Sequence, residues 1–291
     1  MSNDYMPFLK MAVEAALEAG SRILDVYRSD DFDVRLKSDD SPLTRADQVA
    51  HNIIKGRLEA AGDPPVPILS EEGSDVPFEV RRNWSRFWLV DPLDGTKEFI
   101  KRNGEFTVNI ALIEERRPVL GVVYAPDLDR LYFGVKRAGA FRCDHAMNLL
   151  TGPNRRFFVD TLISRSSALP MRRAASGGSE ADSALRVVVS RSHLNEETRT
   201  HIRELERQHG IVELVAAGSS LKLCMVAEGS ADMYPRLGPT MEWDTAAAHA
   251  VVQTAGGRVV DFRGRTELVY NKHVLLNPHF LVLSAVDTVP F

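Results

Sequence analysis

The chain has 291 residues, 44% of them hydrophobic and 26% charged, with a formal net charge of -4. That is enough chain for one large core or two moderate ones, with the composition of an ordinary globular enzyme. The acidic balance argues against nucleic-acid polymers and anionic membranes as partners, yet leaves room for a small phosphorylated ligand met by a local cationic cluster.

The segment Met6 to Tyr27 carries apolar residues at helical spacing and predicts an amphipathic helix. The N-terminal twenty residues carry Asp4, Glu14 and Glu18, unlike a signal peptide, and no apolar run approaches the ~20 residues of a membrane span, so a cytoplasmic protein is expected. A short strand is expected within Phe32 to Lys37, then a helix from Thr44 to Ala61 stopped by Gly62. From Val66 the pattern turns to strands: Val66–Leu69, Phe87–Val90, Phe106–Ile113, Val119–Tyr124, Arg130–Val135 and Ala140–Cys143, with a hairpin turn at Glu114–Pro118.

Residues 164 to 184 are poor in large apolar side chains and rich in Ser, Ala, Arg and Gly, which predicts a loop or linker. Beyond it strands and helices alternate: Arg186–Ser190, Glu196–His209, Ile211–Val215, Ser220–Glu228, Ala231–Tyr234, Asp244–Ala255 and Arg258–Phe262. This rhythm predicts a layered α/β fold. It divides the chain into a metal-binding α+β domain (1–163), the linker (164–184) and a nucleotide-binding α/β domain (185–291). Cys143 and Cys224 have no metal-ligand spacing and read as buried, reduced thiols.

Acids stand where elements begin or end. Asp91 and Asp94 follow the apolar run Phe87–Val90, Ser70-Glu71-Glu72 follows Pro67–Leu69, and Asp244 opens a helix. Each has a local explanation. Asp-Pro and Asp-Gly are turn pairs, Asp244 suits a helix N-cap, and Thr44-Arg-Ala-Asp47 has capping-box spacing. Brought together, however, carboxylates repel, and a hard divalent cation such as Mg²⁺ relieves that with oxygen ligands at ~2.1 Å. Gly95 would let a phosphate approach the backbone.

Trp88-Leu-Val-Asp-Pro-Leu-Asp-Gly-Thr96 resembles the first signature of the inositol monophosphatase superfamily of Mg²⁺-dependent, lithium-sensitive phosphatases, and Trp243-Asp-Thr-Ala-Ala resembles the second. Ser70-Glu-Glu and Ser41-Pro-Leu-Thr-Arg-Ala-Asp47 match its intervening acidic segments. Lys97 to Leu112, Ser190–His193, Gly218–Lys222 and Tyr234-Pro-Arg236 look like the bacterial 3'(2'),5'-bisphosphate nucleotidases of the CysQ type.

The resemblance implies an α/β/α/β/α sandwich and hydrolysis of adenosine 3',5'-bisphosphate (PAP) to AMP and phosphate in sulfate assimilation. The sulfated form PAPS is a second candidate substrate. It also implies that Glu71, Asp91, the Leu93 carbonyl, Asp94 and Asp244 hold Mg²⁺, two or three ions in all. Asp47, Glu71 and Thr96 would orient the attacking water. Gly95, Thr96, Ser219, Lys222, Arg236, Asp244 and His193 would meet the substrate, His193 at its ribose or base. Lys97, Lys101 and Arg102 read as a positive rim. No polymer or protein partner is implied. Some relatives associate with the inner membrane, and no segment here is suited to that. Two readings stay open beside the main one: an inositol monophosphatase, and a nucleotide-binding relative without catalysis.

Overall fold

The computed structural model describes residues 4–29, 35–36, 42–60, 65–73, 76–151, 159–171, 184–192 and 194–285. Its strands are β1 (Arg35–Leu36), β2 (Pro42–Leu43), β3 (Ile68–Ser70), β4 (Arg86–Asp94), β5 (Thr107–Glu114), β6 (Arg117–Ala125), β7 (Arg130–Val135), β8 (Gly139–Asp144), β9 (Ser167–Leu169), β10 (Leu185–Ser190), β11 (Val212–Ala217), β12 (Met233–Arg236), β13 (Arg258–Asp261) and β14 (Phe280–Leu283). The helices are α1 (Met6–Tyr27), α2 (Arg45–Glu59), α3 (Phe78–Arg81), α4 (Thr96–Ile100), α5 (Asn148–Thr151), α6 (Val159–Ser164), α7 (Glu196–His209), α8 (Leu221–Glu228) and α9 (Glu242–Thr254). None among the described residues is long and apolar enough to cross a membrane.

Among the described residues, strands β3 to β9 form one seven-stranded sheet in chain order. A second sheet runs β11-β10-β12-β14-β13. Strand β4 shows why its sequence is an unbroken apolar run. Trp88 and Val90 pack with α1 and α2 side chains, whereas Phe87 and Leu89 join the core shared with α8 and α9. Both faces of the sheet are covered, so both phases of the period-2 pattern are apolar. On the outer face α2 presents Ala46, Ala50, Ile54 and Leu58, spaced by one helical turn, and packs against α1.

On the inner face α9 crosses β4 to β8 and, from its other side, touches β13. A Cβ at Gly121 would stand 2.0 Å from the Ala247 carbonyl oxygen, and one at Gly134 would stand 2.7 Å from that of Ala250. The bare backbone at these positions and the alanines of α9 let helix and sheet approach closely. Helix α8 packs on β10, β12 and β14, and α7 covers β11. The layers are therefore α1–α2, first sheet, α8–α9, second sheet and α7, the expected five-layer sandwich.

Several boundaries differ from the sequence reading. The second helix begins at Arg45, with Thr44 as its cap, and ends at Glu59; the expected stop, Gly62, lies outside the described residues. Helix α9 starts at Glu242, so Asp244 is its third residue and Met241 is the N-cap. Within the expected linker, Ser167–Leu169 pairs with β8 as an edge strand, because the β8 backbone offers an open ladder to even a polar segment. Residues 172–183 lie outside the described residues. Strand β14, pairing antiparallel with β12 and β13, had been left unassigned.

Candidate active site

Strands β3 and β4 are parallel, with Ser70 opposite Val90. The β3–β4 pairing ends at that point, so Glu71 and Asp91, the residues that follow that pair, stand side by side. Pro92 has no N–H to donate, and the β4–β5 register shifts between Asp91 and Asp94. Asp91 Oδ1 accepts the Leu93 N–H at 3.0 Å, which turns the chain back so that Asp94 also faces the strand end. Gly95 then adopts φ 90°, a left-handed conformation, and opens α4. Helix α9 brings Asp244 from the central layer; its Oδ2 accepts the Met241 N–H at 2.9 Å.

These elements enclose a cavity of about 270 Å³. Glu71, Asp91, Leu93, Asp94, Gly95, Thr96 and Asp244 line it together with Ser219, Lys222 and Arg236. The structure thus brings together ten of the twelve expected site residues. Asp47 does not line the cavity. It is buried, and its Oδ2 accepts from Thr44 N at 2.7 Å and Thr44 Oγ1 at 2.6 Å, the capping box expected of that spacing. Helix α2 nonetheless contacts the 71–73 turn that carries Glu71. His193 lies outside the described residues. Of the expected basic rim, Lys97 lines the cavity; Lys101 donates to Ser192 Oγ and Arg102 to the Ser29 carbonyl.

The electrostatics show the strain of gathering acids. Burial, then the charges of Glu71, Asp94 and Asp244, hold the Asp91 carboxyl well above the carboxylate range. Burial, Asp94 and Glu71 do the same to Asp244. Asp94 is pushed up to about 6 by burial and Glu71, moderated by Lys222 and the Ser220 N–H. Lys222 is lowered to about 8 by burial, which Asp94 opposes. Among the described residues no three of these groups are already drawn in as a ligand shell around one point. They face a common space and repel across it. A divalent cation there would supply the missing compensation, and the all-oxygen donor set is the kind that hard cations take. The residues fit such an ion.

The cavity also carries groups suited to a polar ligand. Ser219 is 8% exposed with φ 43°, and its Oγ has no hydrogen-bond partner. Arg236 Nη2 donates to the Pro239 carbonyl at 2.9 Å, while its buried Nε has no partner. Buried donors without partners cost folding free energy, which a ligand oxygen would recover. Ser220, one residue on, is locked by Thr107 Oγ1 at 2.8 Å and Asn109 Oδ1 at 2.7 Å, which fixes the start of α8.

The sequence reading missed Glu98, which is buried and lines the cavity, as do Ser220, Tyr234 and Thr240. Glu98 had a signal: it is an acid two residues after Thr96, in the turn that Gly95 opens. Tyr234 stood in the Tyr234-Pro-Arg236 segment without a role of its own, and Thr240 had no signal, since its place depends on how the second sheet meets α9.

The family model for the inositol monophosphatase family matches residues 4–287. The chain is 43% identical over 277 residues to the 3'(2'),5'-bisphosphate nucleotidase CysQ of Escherichia coli K12, covering 94% of this chain and 98% of that protein. Against the protein of the same name from Salmonella typhimurium it is 43% identical over 276 residues, with the same coverage. A crystal structure of CysQ from Bacteroides thetaiotaomicron superposes with a TM-score of 0.86 at 45% identity, covering 98% of this chain and 99% of that one. With two acidic strand ends, the turn between them and the α9 aspartate at one cavity, and with these matches along nearly its whole length, the chain belongs to the inositol monophosphatase family.

Proposed function

We propose that this chain is a 3'(2'),5'-bisphosphate nucleotidase, which removes the 3'-phosphate of PAP to leave AMP and phosphate. The observation that carries the reading is one cavity lined both by buried acids and by unpartnered buried donors, Ser219 Oγ and Arg236 Nε. A nucleoside bisphosphate offers one phosphate to a cation held by the acids and a second to the donors. The curated relatives at 43% identity carry this activity in their names.

Glu71, Asp91, Asp94, Asp244 and the Leu93 carbonyl would hold the divalent cation, which we take to be Mg²⁺, in two or three copies. Bound there, it supplies Lewis-acid stabilisation of the scissile phosphate. The chain's own groups do the rest. Thr96 and Glu71 orient a water and Glu71 takes its proton, with Asp47 holding the start of α2 behind them. The water oxygen attacks phosphorus opposite the ribose 3'-oxygen, whose bond to phosphorus breaks, and that oxygen takes a proton from solvent to become the 3'-hydroxyl of AMP. Arg236 and Lys222 bind the second phosphate, Arg236 through its planar fork. Gly95 and Ser219 line the approach, and His193 is proposed to meet the ribose or base.

The test is phosphate release from PAP and from inositol 1-phosphate, with Mg²⁺ and after chelation. Cation-dependent turnover with a clear preference for PAP is expected. A preference for inositol 1-phosphate would overturn the substrate, and binding of PAP without turnover would overturn the enzyme.

A further inference from the structure

Five carboxylates line the cavity, and the proposed function uses four of them. The fifth, Glu98, is 5% exposed in the first turn of α4. Its Oε1 accepts from Ser192 Oγ at 2.6 Å, and among the described residues no hydrogen bond reaches Oε2. The stem is held in place by Gly218, where an added Cβ would stand 2.9 Å from Glu98 Cγ. Lys101 donates to Ser192 Oγ and Arg191 binds Glu105 through two hydrogen bonds, while the charges of Lys222 and Arg191 act on Glu98 without a hydrogen bond to it. A buried carboxylate beside Asp94, in a cavity that receives an anionic substrate, is unfavourable unless a donor meets it. The phosphates offer none. The donors of the substrate are the ribose 2'-hydroxyl and the exocyclic amine of the base.

We infer that Glu98 is a specificity-determining acceptor for a hydrogen-bond donor of the nucleoside, either a ribose hydroxyl or the base amine. The inference rests on the nucleotidase reading and adds the group that recognises the neutral part of the substrate.

The experiment compares kcat/KM for PAP, its 2'-deoxy analogue and inosine 3',5'-bisphosphate in the parent enzyme, Glu98→Gln, Glu98→Ala and Ser192→Ala. The parent is expected to disfavour one analogue by about tenfold or more, as a lost hydrogen bond to a charged group would give. The disfavoured analogue identifies the donor. Glu98→Gln should shrink that preference and Glu98→Ala abolish it, while Ser192→Ala keeps it. If Glu98→Ala fails to fold, Glu98→Gln decides. Three results would each overturn the inference: equal discrimination in the parent and the Glu98 variants, loss of discrimination in Ser192→Ala as complete as in Glu98→Ala, or a rise in the Mg²⁺ needed by Glu98→Gln. If the parent does not hydrolyse PAP, the nucleotidase reading fails and the inference falls with it. Turnover of PAP without the expected discrimination removes the inference alone.

Discussion

Asp94 sits at about 6 because burial and Glu71 outweigh Lys222 and the Ser220 N–H. Unfolded, it would titrate near 3.9, so between about pH 4 and pH 6 the folded chain binds the extra proton. Without a cation, the stability from this group is therefore present at low pH and lost as pH rises through 6. Asp91 and Asp244 act in the same direction. Buried His249, lowered to about 3, acts oppositely, but equally in cation-bound and chelated protein. A cation held by ionised carboxylates competes with their protons. The gain in melting temperature on adding Mg²⁺ to chelated protein should accordingly be larger near pH 7.5 than near pH 5. Asp94→Asn should lose most of that gain and reduce activity by at least about a hundredfold, while melting no lower than the parent in chelator. Thermal melts at both pH values check this, and a gain that is the same at both would remove the electrostatic argument.

Helix α9 carries Asp244 and the tight contact that positions it. Gly121→Val would place side-chain atoms where the Ala247 carbonyl now lies, and overpacking of this kind costs about 3 kcal/mol or more when neither partner can move. A lower denaturant midpoint at unchanged slope, with activity reduced beyond the stability loss, is the expected result. A midpoint equal to the parent's would mean that α9 shifts freely.

This element also shows what a sequence discloses. The alanines of α9 and the 3.6-residue period of α1 were legible because each is local. So were the acids at the ends of β3 and β4, because an apolar run followed by charge marks a strand leaving the core. The start of α9 was not legible, since Glu242 looks like a solvent-facing acid. In the structure it is fully buried and accepts from the backbone N–H groups of Asn271 and Lys272 and from Lys272 Nζ, partners nearly thirty residues away. Strand β14 was missed for the same reason: its pairing with β12 and β13 is a tertiary fact.

At the scale of the molecule, the first sheet lies within residues 68–169 and the second within 185–283. One apolar cluster joins Phe87, Ala111 and Val123 of the first to Val188, Tyr234 and Val282 of the second through α8 and α9. Neither sheet can keep its inner face covered without that layer. Denaturant unfolding should therefore give one transition, coincident by tryptophan fluorescence and far-UV circular dichroism. Two separated transitions would show that the halves stand alone.

The same layer acts as a caliper. The acids belong to the first sheet and α9, whereas Arg236 belongs to the second sheet, so the breadth of the cavity depends on how closely the apolar side chains of the α8–α9 layer let the sheets approach. The distance that must separate two phosphates on an accepted molecule is thereby written in residues that never touch it.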